Sequence, residues 1–295
     1  MFAAACATAK EFTRPVIISY RRHDGTCKAS IGSFVIINDE GWIVTAQHII
    51  RKIRHLERAK QAYDADEARR QLIRDSTDLK EDERERQLES TASSAEAITD
   101  FSVNWGNEYN PGVELESIKE LEEADLAVGR LSKFDATSVS NYPQFKDPTK
   151  LMNQGTSLCK MGFPFHNVPP VFDESANTFS FPAPPIPFFP IEGILTRIVE
   201  VIPNPCSYLV AYLETSSPSL RGQSGGPTLD VHGAIWAIQS QTKHIPLGFG
   251  NHIQDGSKAT EHLQNQYLHV GWGTHAATVV GFLRERGIHF NLSPH

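Results

Sequence analysis

The sequence predicts an all-β body interrupted by a charged helical insertion and closed by a C-terminal helix. Three observations carry this expectation. Short runs rich in β-branched and aromatic residues recur along most of the chain, separated by turn residues. From Arg51 to about Ser90 roughly half the residues are charged, with both signs mixed and neither Gly nor Pro present. The last segment, ATVVGFLRERGI (277–288), has apolar residues at helical spacing and a glycine near its end.

The first strands lie between Arg14 and His48. VIISY (16–20), SFVII (33–37) and WIVTA (42–46) are strand-like, and Asn38-Asp39-Glu40-Gly41 supplies turn chemistry between the last two. The charged segment follows, taken as an insertion over 51–99. Ile49, Ile53, Leu56, Tyr63 and Leu72 give only a thin apolar stripe, so the helix is expected to stand in solvent as an arm or hairpin. Such an arm either solubilises the surface or docks a regulatory partner or a second copy of the chain. β character resumes in ADLAVGRL (124–131), SLCKMGF (157–163), GILTRIVEVI (193–202), YLVAYLET (208–215), AIWAIQS (234–240) and LHVGWG (268–273). The proline-rich stretch from Pro164 to Pro190 is expected to be a long loop, because proline cannot donate in a sheet ladder.

Composition narrows the function classes. A chain of 295 residues with 40% hydrophobic residues can bury its own core. A net charge of -7 argues against binding nucleic acid by broad phosphate neutralisation. No apolar run reaches the length of a membrane span, and the first residues lack a basic region followed by an apolar core, so a cytoplasmic protein is expected. Cys6, Cys27, Cys159 and Cys206 are scattered without paired zinc spacing and read as reduced thiols. Neither His23, His166, His232, His244, His252 nor His275 falls in a metal-binding spacing, so no metal and no cofactor is expected.

The chemistry is concentrated in three places. Gly222-Gln223-Ser224-Gly225-Gly226-Pro227 precedes a strand. Glycines around a serine permit a tight turn that exposes Oγ and directs the amides of Gly222 and Ser224 to one point, where they can stabilise an oxyanion. An ordinary glycine turn is the plain alternative for this block alone. A serine nucleophile needs a base, and His48 stands at the end of WIVTAQH. The base needs an orienting acid, and Asp125 stands at the head of an apolar strand, where an unpaired carboxylate is costly.

Thr45-Ala46-Gln47-His48, Asp125-Leu126-Ala127 and Gly222-Gln223-Ser224-Gly225-Gly226-Pro227 together resemble the signature blocks of the trypsin-like (chymotrypsin-fold) serine proteases, in that family's chain order. The style is similar to bacterial HtrA-like and stand-alone trypsin-like peptidases, and Glu192-Gly193-Ile194-Leu195-Thr196 resembles a strand of theirs. About seventy residues follow Ser224, so no PDZ-like domain is expected. The resemblance implies two six-stranded antiparallel β-barrels within a single protease domain. Residues 14–50 and 100–150 would form the first barrel, 151–275 the second with its 164–190 loop, and 276–290 the closing helix.

The resemblance also implies a serine endopeptidase with His48, Asp125 and Ser224 as triad. Substrate would meet Pro218, Gln223, Ile238, Gln239, Ser240, Gly271 and Gly273, with an extended peptide pairing along 239–241. Because 217–223 contains no carboxylate, a small or medium apolar or uncharged residue before the scissile bond is expected rather than Lys or Arg. Glu214 is the one acidic group near enough to disturb that reading. Gln223 replaces the aspartate that secreted trypsins pair with a cut N-terminus, so propeptide activation is not expected. The partner is a protein or peptide substrate, cleaved selectively and under regulation. A latent protease-fold scaffold working through the charged arm is the alternative.

Overall fold

The computed structural model describes residues 1–106, 112–164, 169–180, 186–201, 210–247 and 267–294. Helix α1 (Ala3–Phe12) leads into β1 (Thr13–Arg22), β2 (Cys27–Ile36) and β3 (Trp42–Ala46). Helices α2 (Gln47–Asp75) and α3 (Glu81–Ser90) follow, then β4 (Ile98–Trp105), β5 (Leu115–Leu121) and β6 (Leu126–Leu131). The second half holds β7 (Gln144–Phe145), β8 (Ser157–Gly162), β9 (Val171–Asp173), β10 (Thr178–Ser180), β11 (Phe189–Val201) and β12 (Val210–Thr215). It ends with β13 (Pro227–Leu229), β14 (Ala234–Pro246), β15 (Tyr267–His275), helix α4 (Ala276–Glu285) and β16 (Asn291–Leu292).

The all-β body divides into two large sheets and a separate two-stranded β9–β10 hairpin. The first has six antiparallel strands in the order β4-β1-β2-β3-β6-β5. Its edge strands β4 and β5 share no register among the described residues, so pairing does not close it into a barrel. Helix α2 lies over the open side, and its Ile50 and Ile53 share a cavity of about 390 Å³ with Phe101 and Val103 of β4 and Leu115 and Ile118 of β5. In the second sheet β13 pairs with both β8 and β14, which closes β13-β8-β11-β12-β15-β14 into a six-stranded ring. Leu158, Leu195, Leu213 and Trp236 fill one core cluster on strands of this ring. A larger core runs from α1 through the first sheet to α4, with Phe12, Phe34, Ile43, Leu126 and Phe282 buried in it.

Several sequence expectations change. The charged segment is two helices, and the first begins at Gln47, so His48 sits in a first helical turn rather than at a strand end. Ile49, Ile50 and Leu56 anchor that helix to the core, whereas α3 buries no residue. The proline-rich stretch contains the β9–β10 hairpin, and β11 starts at Phe189, so Pro190 lies inside a strand. Its missing N–H is tolerated because β11 pairs there with β8 alone; pairing with β12 begins only at Leu195. Residues 165–168 and 181–185 of that stretch lie outside the described residues, as do Cys206, His166, His252 and the first residues of the expected 208–215 strand. The charged arm aside, α1, β4 and β5 are elements the sequence patterns did not point to. No helix among the described residues is long and apolar enough to cross a membrane.

Candidate active site

Strand register brings His48 to Asp125. β3 and β6 run antiparallel with Ala46 opposite Leu126, so the residues just beyond those ends meet. Helix α2 starts there without a side-chain cap of its own. Asp125 caps it from the other strand: Gln47 N–H donates to the Asp125 carbonyl (3.1 Å) and His48 N–H to Asp125 Oδ1 (2.9 Å). The carboxylate thus lies at the positive end of a helix. A 3-10 turn, Glu122–Ala124, precedes it, and Asp125 itself is left-handed (φ +50°), a conformation aspartate tolerates better than most residues. The second sheet grips this turn, with Tyr212 Oη donating to Glu123 O (2.8 Å) and Thr274 Oγ1 to Ala124 O (2.5 Å).

The imidazole Nδ1 of His48 lies 2.9 Å from Asp125 Oδ2 and 3.1 Å from Oδ1. Ser240 Oγ donates to Oδ2 at 2.6 Å. Burial works against the charged form of Asp125, but the bonds from the His48 ring, Ser240 and the His48 amide outweigh it, and its pKa lies below the ordinary carboxylate value. With an ionised acceptor at Nδ1, the favoured neutral tautomer carries its proton on Nδ1 and leaves Nε2 free to accept.

The Ser224 loop is fixed from both sheets. From the second, Gly225 N–H donates to Gln239 O and Gln239 N–H to Gly226 O, both at 2.8 Å. From the first, Ser33 N–H donates to Ser224 O (2.8 Å) and Ser33 Oγ to Gly222 O (2.6 Å). Thr45 Oγ1 in turn holds Ser33 O (2.8 Å). Two glycines are required by this closeness. A Cβ on Gly222 (φ +94°) would lie 2.2 Å from Phe163 O, and one on Gly225 (φ +83°) 2.1 Å from Ser33 O. Among the described residues the amides of Gly222 and Ser224 have no hydrogen-bond acceptor. Ser224 Oγ donates to Ser240 O at 3.4 Å rather than to His48.

Two clefts flank Ser224. One, of about 860 Å³, is lined by His48, Ser224, Gly222, Ile31, Lys52 and Phe163. The other, of about 460 Å³, is lined by Pro218, Ser219, Leu220, Ser240, Thr242 and His244 among others. Leu220, Arg221 and Ser224 belong to both. Of the positions expected to meet substrate, Pro218 and Ser240 lie on the second cleft. The side chains of Gln223, Ile238 and Gln239 do not face it, being 0%, 1% and 1% exposed. Gln223 braces its own loop, its Oε1 accepting from Leu220 N–H (3.0 Å), and Gln239 Nε2 donates to Met161 O (2.8 Å). Gly271 and Gly273 sit on β15 opposite Thr242 and Gln239 of β14. Beyond Ser240, β14 pairs on one side with β15 and has no second neighbour among the described residues, which leaves an edge for an extended peptide.

Glu214 is removed from the cleft. It pairs with Arg197 and accepts from Trp272 Nε1 and Thr196 Oγ1, on the face of β12 and β15 opposite Gly271. The sequence reading missed Ser33, which lies in an unremarkable strand, and Lys160. Lys160 is 2% exposed in β8, and its Nζ donates to Thr215 Oγ1 (3.0 Å), Pro218 O (2.8 Å) and Ser217 O. Burial lowers its pKa to about 7. A lysine inside the apolar run SLCKMGF was the available signal.

No protein-family model matches the chain, and no curated protein matches it. Among solved structures it is similar to the Rv3671c protease from M. tuberculosis in its active form, at 13% identity over 99% of this chain and 87% of that one, with a TM-score of 0.47. The inactive form of Rv3671c is similar at 10% identity, with 96% and 90% covered and a TM-score of 0.46. The HtrA-type protease AlgW with a tripeptide is similar at 15% identity and a TM-score of 0.46; the match covers 98% of this chain and 65% of AlgW.

Proposed function

We propose that the chain is a serine endopeptidase with Ser224 as nucleophile, His48 as general base and Asp125 as the group that orients and charges the base. The observation that carries this reading is the junction of the two large sheets, where His48, its ring held by the Asp125 carboxylate behind it, and a serine whose own amide and that of Gly222 are unpaired among the described residues line one cleft. A rotation about the Ser224 side-chain bond carries Oγ from Ser240 O towards His48 Nε2, a contact that commonly tightens only when substrate binds. Oγ then attacks the peptide carbonyl and its proton passes to Nε2. The amides of Gly222 and Ser224 receive the oxyanion. The imidazolium returns the proton to the departing amine, and water releases the acyl group by the same route. The peptide before the scissile bond runs along the β14 edge, and the leaving side occupies the His48–Lys52 cleft.

The α2–α3 arm serves as the docking element for a specific partner within this reading, because beyond Leu56 it buries only Arg70. Incubation of the protein with a mixed peptide library, followed by mass mapping of new termini, tests the activity. Cleavage by wild type that disappears in Ser224→Ala is expected. Identical termini from both proteins would instead leave a scaffold built on this fold.

A further inference from the structure

A buried lysine without a carboxylate partner among the described residues, Lys160, lies behind Pro218, a lining residue of the cleft on the β14 side of Ser224. Thr215, Gly271 and Thr242 are cross-strand neighbours on β12, β15 and β14, so their side chains share one face of the ring. Thr242 lines the cleft, which identifies that face as the cleft's inner wall. Lys160 reaches the same wall from β8, bonding Thr215 Oγ1 and the carbonyls of Ser217 and Pro218 under the cleft floor. A Cβ on Gly271 would come within 2.7 Å of Lys160 Nζ, 2.7 Å of the Ser217 carbonyl oxygen that Lys160 bonds, and 2.9 Å of Ser219 Oγ, so the ammonium and the hydroxyl converge on one point.

Three features of this floor are unusual together. No carboxylate pairs with the Lys160 ammonium among the described residues; its three donors are spent on neutral oxygens. The hydroxyls of Ser217 and Ser219 are buried and have no hydrogen-bond partner. The remaining charged or titratable groups on the cleft are Arg221, His244 and His269, with no Asp or Glu among its lining residues. A buried cation and unsatisfied hydroxyls are each costly unless something of opposite charge, rich in acceptor oxygens, completes them. A side-chain carboxylate does both at once. Its charge offsets the desolvation that lowers the lysine, and its oxygens accept from Ser219.

We infer that the primary specificity pocket takes an acidic side chain, aspartate or glutamate, at the residue preceding the scissile bond, with Lys160 as the specificity-determining residue and Ser219 as hydrogen-bond donor. This rests on the proteolytic reading for the word scissile. It replaces the small or medium apolar or uncharged preference expected from the absence of a carboxylate in 217–223. An absent carboxylate disfavours Lys and Arg, but the choice among the others is made by a lysine 58 residues upstream of Pro218.

The test separates the pocket from the chemistry. Fluorescent peptides of one sequence, carrying Glu, Asp, Gln, Leu or Lys at a single central position, are titrated into Ser224→Ala by anisotropy, and unlabelled versions are digested with wild type. Glu or Asp is expected to bind about tenfold or more tighter than Gln, about one decade being what one charge-assisted contact supplies. Lys160→Met is expected to collapse that ratio to within about twofold, and Ser219→Ala to reduce it, with melting curves confirming that each variant folds. Ser219→Ala carries the test alone if Lys160→Met does not fold. Equal binding of Gln or Leu, absence of binding by any peptide, or a preference that survives both substitutions would overturn the inference. Selective binding of Glu peptides to Ser224→Ala without cleavage by wild type would support the pocket while overturning the proteolytic reading.

Discussion

Replacing Asp125 by Asn changes one atom and inverts the hydrogen-bond logic of the site. Asp125 accepts from three donors through four contacts: the His48 amide at Oδ1, the His48 ring Nδ1 near both oxygens, and Ser240 Oγ at Oδ2. Asparagine has a single acceptor oxygen. Placed at the Oδ1 position it keeps the bond to the helix amide at 2.9 Å, so the fold survives. The NH₂ group then occupies the Oδ2 position, 2.9 Å from His48 Nδ1, and donates to it. Nδ1 must lose its proton, Nε2 must carry one, and the imidazole faces Ser224 with a donor where an acceptor is needed. Ser240 accommodates by turning its hydroxyl to accept. The expected loss in turnover is about 10⁴-fold, or about 5 kcal/mol of transition-state stabilisation, with a melting temperature within a few degrees of wild type. Initial rates on a cleaved peptide, paired with thermal melts, measure both. A folded Asp125→Asn protein retaining more than about a tenth of wild-type turnover would refute the role assigned to this carboxylate.

Three further outcomes follow from the same geometry. Ser33→Ala removes a buried 2.6 Å bond to Gly222 O, which keeps its second donor, Phe163 N–H; a stability loss of about 1 kcal/mol and a fall in kcat of up to about tenfold with KM unchanged are expected from denaturant melts and steady-state rates. Gly225→Ala forces a Cβ to 2.1 Å from a backbone oxygen at φ +83°, and calorimetry should show at least about 2 kcal/mol of destabilisation together with lost activity. Burial lowers the His275 pKa from 6.5 to about 4, and its Nδ1 accepts the Ala277 amide at the start of α4. The unfolded chain binds the proton first, so this residue's contribution is full above about pH 6.5 and is lost as pH falls towards 4, on the order of 3 kcal/mol in total. Urea melts across that range should show a shallower pH dependence for His275→Asn; an unchanged slope would mean that another group sets it.

His48, Asp125 and Ser224 could be singled out in the sequence because each has a distinctive local context, namely a histidine directly after an apolar strand, a costly carboxylate and a glycine-bracketed serine, although the helix that begins at Gln47 was not foreseen. What brings them together was less legible, since it resides in register: Ala46 opposite Leu126, and Ser240 at the bulge between Gln239 and Gln241. Strand β5, LESIKEL, hid behind the Glu and Lys residues that an edge strand carries. Helix α1, AAACATAKEF, is short and uncapped and owes its place to burying Ala5, Ala9 and Phe12. The sequence-based view of the pocket floor took in only 217–223 and so could not include Lys160. Side chains that close a barrel interior come from strands distant in sequence, and Lys160 arrives from β8. Gln223, expected to meet substrate, is instead fully buried, its Oε1 accepting from Leu220 N–H within its own loop.

The central claim is that Ser224 is an activated nucleophile. Intact-mass analysis after exposure to a fluorophosphonate measures this directly, alongside Ser224→Ala and His48→Ala. One adduct on wild type, mapped to the peptide containing Ser224 and absent from both variants, is the predicted result. An unmodified wild-type protein, or an adduct that persists in Ser224→Ala, would contradict it.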